Sequence, residues 1–193
     1  MIEIRIHGRG GQGAVVASEI LAQAFFKEGK YIQSFPHFGV ERRGAPVAAF
    51  VRVGDPGSLF VRTNIYEPDH IIVLDPTLLT AVNVMEGLKP GGWIVVNTPQ
   101  SPEEIVEEVG IPPTYRVATV DATSIAIKHR LGSKMTPIVN TAILGAFARA
   151  FGQPSLENLL AAIKEGVPIK PEENAAAARE AYESTKILIP QEV

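Results

Sequence analysis

The chain contains no cysteine. That excludes disulfides, thiolate metal sites, a cysteine nucleophile and a cysteine-ligated iron–sulfur cluster on this polypeptide. Charge bias is also missing: 18 Lys and Arg against 21 Asp and Glu give a formal net charge of −3, which does not suggest nucleic acid or an anionic membrane as the main partner. No apolar run approaches the length of a membrane span. The opening "MIEIRIHG" reads as a strand, not as a basic region followed by a signal core. A cytoplasmic protein is the expectation. With 46% hydrophobic residues among 193, the composition is that of a globular domain able to bury a core.

The pattern along the chain alternates strands and helices. Ile2, Ile4 and Ile6 alternate with Glu3 and Arg5, giving a first strand. "AVVASEILAQAFFKEG" has helical periodicity and stops at Gly29. "YIQSF" and "VAAFVRVG" read as strands with no helix between them, so the span from Tyr31 to Gly54 predicts antiparallel pairing. "HIIVLD" is a buried strand, followed by a helix expected through about Met85. "WIVVN" and "YRVATVDA" add strands. Between them, "SPEEIVEEVG" carries a helix start: Ser101 as N-cap, Pro102 in the first turn and Glu104 closing a capping box. The remainder, from "TSIAIKHRLG" to "PEENAAAAREAYESTKIL", reads as mainly helical. The expected architecture is α/β: a single three-layer Rossmann-like domain over residues 1–193 with a mostly parallel, mixed sheet.

Between the first strand and the first helix lies "HGRGGQG", with Gly8, Arg9, Gly10, Gly11, Gln12 and Gly13 in the spacing G-x-G-x-x-G. Glycines in that context let the backbone approach a ligand, and the helix N-terminus offers unpaired N–H groups to a phosphate. A dinucleotide site also needs an acidic residue about 20 residues on, at the end of the second strand. Here that region reads Tyr31-Ile32-Gln33-Ser34-Phe35, with no acid. The motif therefore favours phosphate over nicotinamide, and a tight turn without any ligand competes almost equally.

A second segment, "SFPHFGVERRGAPV", places Arg42 and Arg43 side by side near Phe35, Phe38 and Glu41. Paired guanidiniums suit carboxylate or phosphate, and Glu41 is a candidate to hold one of them. An exposed charged loop anchored by its phenylalanines, or a subunit interface, explains the same residues. His37 lacks an evident orienting partner; His7, His70 and His129 are likewise isolated, and no metal site is expected. Asp75, Asn97 and Asp121 each follow an apolar strand, where they can border a ligand crevice or simply cap turns. Asn140 sits in a stretch expected to be an apolar helix; its amide needs a partner from nearby backbone or another subunit.

"GRGGQG", "FPHFGVERRGAPV", "VLDPTLL" and "NTAILGAFAR", in this order, resemble the gamma-subunit family of pyruvate:ferredoxin and related 2-oxoacid:acceptor oxidoreductases, over essentially the whole chain. The resemblance implies a hetero-oligomeric enzyme with alpha, beta and delta-type subunits. It implies oxidative decarboxylation of a 2-oxoacid to acyl-coenzyme A, reversible as in pyruvate synthase, with ferredoxin or flavodoxin as electron acceptor. Thiamine diphosphate and 4Fe-4S clusters are then expected on the partner subunits, which fits a chain without cysteine. For this chain it implies coenzyme A binding, with Gly8, Arg9, Gly10, Gly11, Gln12 and Gly13 as the pyrophosphate cradle and Arg42 or Arg43 for anionic groups; no catalytic residue is expected here. Two other readings stay open: a free-standing NAD(P)-dependent dehydrogenase, and a non-catalytic structural subunit.

Overall fold

The structure is a computed structural model and describes residues 1–37, 42–58 and 61–191. Phe38 and Glu41 lie outside the described residues, so the anchoring and ion-pair expectations placed on them do too.

Seven strands form one sheet among the described residues. In chain order they are β1 (Ile2–Arg9), β2 (Tyr31–Pro36), β3 (Pro46–Gly54), β4 (His70–Val73), β5 (Trp93–Asn97), β6 (Arg116–Val120) and β7 (Lys186–Leu188). Their spatial order is β2-β3-β1-β4-β5-β6-β7. β1, β4, β5 and β6 pair in parallel, while β3 runs antiparallel to β1 and β2, and β7 antiparallel to β6. The sheet is thus mixed with most strands pointing one way, and the Tyr31–Gly54 span forms the antiparallel half.

Burial follows from alternation. Ile4 and Ile6 of β1 are wholly buried and share a face with Val51 and Ala49, their partners across β3. Covering that face are α1 (Ala14–Lys27), α4 (Ala122–Lys128), α5 (Ala142–Phe151), α6 (Leu156–Gly166) and α7 (Pro171–Ser184). On the opposite face, Ile71, Val73, Ile94 and Val96 pack beneath Leu78 of α2 (Leu78–Ala81) and Ile105 of α3 (Pro102–Val109). Central strands covered on both faces favour apolar residues at successive positions, which is why "IIV" and "WIVV" are unbroken. In the antiparallel half, this second face carries, among the described residues, a small cluster of Phe35, Phe50 and Ile65.

The helix start at Ser101 forms as read: Glu104 N–H donates to Ser101 Oγ at 3.2 Å, and Ser101 N–H donates to Glu104 Oε2 at 2.9 Å. Two expected elements differ. The helix after β4 ends at Ala81 rather than near Met85. The buried Arg5 guanidinium needs acceptors there, and donates to the carbonyls of Val84 at 3.0 Å and Glu86 at 2.6 Å. Those carbonyls are turned toward Arg5 by a non-helical chain. The last helix ends at Ser184, and "KIL" forms β7 instead, because the free edge of β6 offers it backbone partners. Asn140 also precedes α5 rather than lying within it.

Candidate functional site

Parallel strands β1, β4, β5 and β6 deliver Arg9, Asp75, Asn97 and Asp121 toward one end of the sheet, as the sequence suggested. Asp121 is the N-cap of α4, accepting from Ser124 N–H at 3.0 Å and Ser124 Oγ at 2.7 Å. Asn97 ties strand ends together: its Nδ2 donates to the Leu74 carbonyl and to Thr123 Oγ1, each at 3.0 Å. Both side chains have local structural work.

The glycine segment divides into parts with different roles. Gly8 and Arg9 are still strand residues, paired with Val47 and Pro46 of β3. The turn proper begins at Gly10. A Cβ on Gly10 would stand 2.2 Å from the Arg42 carbonyl oxygen. The "RRGAP" segment lies directly against it: Gly10 N–H donates to the Ala45 carbonyl at 2.9 Å, and Gly44 N–H donates to the Gly10 carbonyl at 3.0 Å. The close backbone approach that Gly10 permits is therefore made by the chain itself.

Gly13 has a φ of 81° and is crowded in the same way, since a Cβ there would lie 2.5 Å from Asn140 Nδ2. That amide donates to the Gly13 carbonyl at 3.3 Å. Gly11 is different. Its φ is +92°, and the nearest atom to a Cβ would be Arg43 Cγ at 3.8 Å. Space remains on Gly11 for a ligand.

Arg9 and Gln12 face inward to a shared carboxylate. Arg9 Nη1 donates to the Gly44 carbonyl at 3.0 Å, its Nη2 to Thr77 Oγ1 at 3.0 Å, and its Nε lies 3.4 Å from Asp75 Oδ2. Gln12 accepts from Arg9 N–H at 2.7 Å and donates to Asp75 Oδ2 at 3.0 Å. Burial alone would raise the Asp75 carboxyl, but hydrogen bonds from Thr77 and Gln12 and the charge of Arg9 outweigh it and hold it below its ordinary value. Arg9 and Gln12 thus shape the loop.

A cleft of about 610 Å³ opens beside this loop, lined by Gly11, Gln12, Arg43, Asp75 and Asn97 and also by Ser133, Thr136 and Ile138. Arg43 is exposed and reaches this cleft; Arg42 is exposed but is absent from its lining. No side chain caps the N-terminus of α1, so its first N–H groups and positive dipole end remain for an anion. The arrangement offers hydrogen-bond donors and positive charge to an anion. No group of three or more His, Asp or Glu placed to hold a metal occurs among the described residues.

His70 and His129 have structural partners. His70 is buried against Phe151, with ring centroids 4.4 Å apart, and its Nδ1 accepts from Trp93 N–H at 3.1 Å. His129 bonds Glu180 at 2.6 Å, linking α4 to α7. His37 lies near Phe50, with ring centroids 6.3 Å apart. The residues that sequence reasoning did not connect to the loop are Asn140, whose oddity in an apolar stretch was the available signal, and the 132–139 segment, whose composition gave none.

Comparisons with known proteins cover nearly the whole chain. Residues 3–184 match the family model described as pyruvate ferredoxin/flavodoxin oxidoreductase. The chain is 55% identical over 189 residues to the pyruvate/ketoisovalerate oxidoreductases common subunit gamma of Pyrococcus furiosus, covering 97% of this chain and 99% of that one. It is 51% identical over 183 residues to the pyruvate synthase subunit PorC of Methanocaldococcus jannaschii, covering 94% and 96%. The crystal structure of the pyruvate oxidoreductase subunit PORC from Thermotoga maritima superposes with a TM-score of 0.80 at 37% identity, over 96% of this chain and 97% of that one.

Proposed function

This chain belongs to the pyruvate ferredoxin/flavodoxin oxidoreductase family, and we propose that it is the subunit that receives coenzyme A for the complex. It is the gamma subunit of a multi-subunit 2-oxoacid oxidoreductase of the pyruvate synthase type. The reaction is oxidative decarboxylation of a 2-oxoacid to acyl-coenzyme A and carbon dioxide with reduction of ferredoxin, and it is reversible. Pyruvate is the proposed first substrate. Alpha, beta and delta-type subunits, carrying thiamine diphosphate and 4Fe-4S clusters, are the proposed partners, with ferredoxin or flavodoxin docking to the assembly. A cytoplasmic location is part of the proposal. No helix among the described residues is long and apolar enough to cross a membrane.

One observation carries the coenzyme A reading: the open Gly11 and the exposed Arg43 line one cleft, and Gln12, which also lines it, immediately precedes the uncapped N-terminus of α1. When bound, coenzyme A supplies the thiol that takes the acyl group. The Gly11–Gly13 backbone and Arg43 bind its phosphates through N–H donors and charge. Arg9, Gln12 and Asp75 hold the loop in that shape. Arg42 is placed to meet an anionic group only from outside the cleft.

Titration calorimetry on the assembled complex tests the reading. Coenzyme A binds, NAD does not, and Arg43→Ala weakens coenzyme A while the complex stays intact. A second reading has its own support: Gly10 and Gly13 are filled by the chain's own Arg42 and Asn140, as expected of a purely architectural subunit. Under that reading, Arg43→Ala leaves coenzyme A affinity unchanged. In the first reading the isolated chain is colourless and inactive, and coenzyme A-dependent turnover appears only with its partner subunits.

A further inference from the structure

We propose that a second cavity, lined in part by Val15 in the first turn of α1, takes the uncharged pantetheine arm of the same ligand by binding one of its amides between His7 and Asn64. The proposal rests on the coenzyme A reading above and adds a second place of contact.

This cavity has a volume of about 470 Å³. Much of its wall is apolar, formed by Phe50, Ile65 and Val82 among others, and His7 and Asn64 also line it. The state of His7 follows from its neighbour. Arg5 Nε donates to His7 Nε2 at 2.9 Å, and an arginine stays protonated. Nε2 is therefore the acceptor nitrogen, and Nδ1 carries the proton and is a donor. The remaining Arg5 donors are already directed at carbonyls: Ile65 at 3.2 Å, Val84 at 3.0 Å and Glu86 at 2.6 Å. Arg5 fixes the imidazole and has little left to offer an anion. Glu86 also lines the cavity, which further disfavours a negatively charged guest.

Asn64 supplies the complementary group. Its Oδ1 is buried and meets no donor among the described residues. A buried acceptor left unpaired has lost its water without a replacement, so it marks a partner still to come. One free donor and one free acceptor beside an apolar wall match a secondary amide, whose carbonyl accepts and whose N–H donates. The pantetheine arm is uncharged and carries two such amides joined by hydrocarbon.

Position supports the same ligand. Val15, in the first turn of α1, and Pro46, next to the Ala45 that bonds Gly10, line this second cavity; Gly11 and Arg43 line the first. The second cavity thus reaches the helix end offered to phosphate, and the first is lined by the two residues just before its N-cap Gly13. The phosphates join the nucleotide to the arm in coenzyme A, so each part of the molecule has a matching surface.

The test uses the two halves of the ligand on the ¹⁵N-labelled full chain. D-Pantetheine should shift the Asn64 side-chain amide and the His7 ring signals saturably. Adenosine 3′,5′-bisphosphate should shift Gly11, Gly13 and Arg43 instead. Asn64→Leu should weaken pantetheine about fivefold or more and leave the bisphosphate unaffected. The wild-type shifts decide the question if Asn64→Leu fails to fold. Pantetheine that shifts only Gly11–Gly13, or nothing, overturns the proposal while bisphosphate binding leaves the coenzyme A reading standing. Silence of coenzyme A and of both fragments overturns both. A blocked alanine tripeptide that binds the second cavity as tightly as pantetheine also overturns it, in favour of a peptide segment as the occupant.

Discussion

A side chain on Gly10 would collide with the carbonyl oxygen of Arg42, at 2.2 Å from its Cβ. The two sequence segments that point most strongly to function are thereby one structure, since the turn after β1 exists in this form only with "RRGAP" lying on it. The glycine spacing records that packing as much as any ligand.

Gly10→Ala should lower stability by roughly 2 kcal/mol or more, because the obstructing atom is backbone and cannot rotate away. Gly44 makes the contrast: its φ is +80° with no atom near a Cβ, so Gly44→Ala should cost only about 1–2 kcal/mol of backbone strain. Urea unfolding of the two variants checks the order. Equal losses would mean that the segment moves aside freely.

Gly13 and Asn140 should be energetically coupled. Gly13→Ala introduces a Cβ against Asn140 Nδ2 at a position whose φ is already 81°. Asn140→Ala removes the bond to the Gly13 carbonyl, at about 1 kcal/mol, and also clears the space. The double variant should therefore be less destabilised than the sum of the two singles, by about 1 kcal/mol. A double-mutant cycle by chemical denaturation measures the difference.

The half-buried His7 and the buried His70 predict acid sensitivity. Burial, with Arg5 adding to it, pushes His7 down to about 3. Burial pushes His70 down to about 4, with Asp69 opposing and Arg116 assisting. The unfolded chain takes up these protons near pH 6.5 and the folded chain does not. Their contribution is full above pH 6.5 and is lost as the pH falls toward 4. Between pH 7.5 and 5, stability should drop by about 1–2 kcal/mol per histidine. His70→Asn can keep an acceptor near Trp93 N–H and should flatten part of that slope in pH-dependent unfolding curves.

Arg43 and Arg42 should behave differently in ligand binding despite being neighbours. Arg43→Ala should weaken coenzyme A about tenfold, as expected for losing one charged hydrogen-bonding group. Arg42→Ala should change it less than about threefold, because Arg42 does not line the cleft. Calorimetric affinities on the assembled complex check both, and a larger effect at Arg42 would reverse their roles.

Local chemistry was readable from the sequence wherever it acts over a few residues. The alternation in β1, the capping box at Ser101 and the absence of an acid near Gln33 and Ser34 are all statements about neighbours in the chain. The covered central strands were legible as unbroken apolar runs. Tertiary structure decided what those local rules leave free. α2 stops early because the buried Arg5, 79 residues from Val84, draws in its carbonyl, and "KIL" becomes a strand because β6 has an open edge. Within the glycine segment, the sequence presents four glycines of equal standing. Only the fold separates Gly8 in a strand, Gly10 under Arg42 and Gly13 against Asn140 from Gly11, which still has room. A glycine marks a close approach, but which atoms approach depends on segments brought together from across the chain.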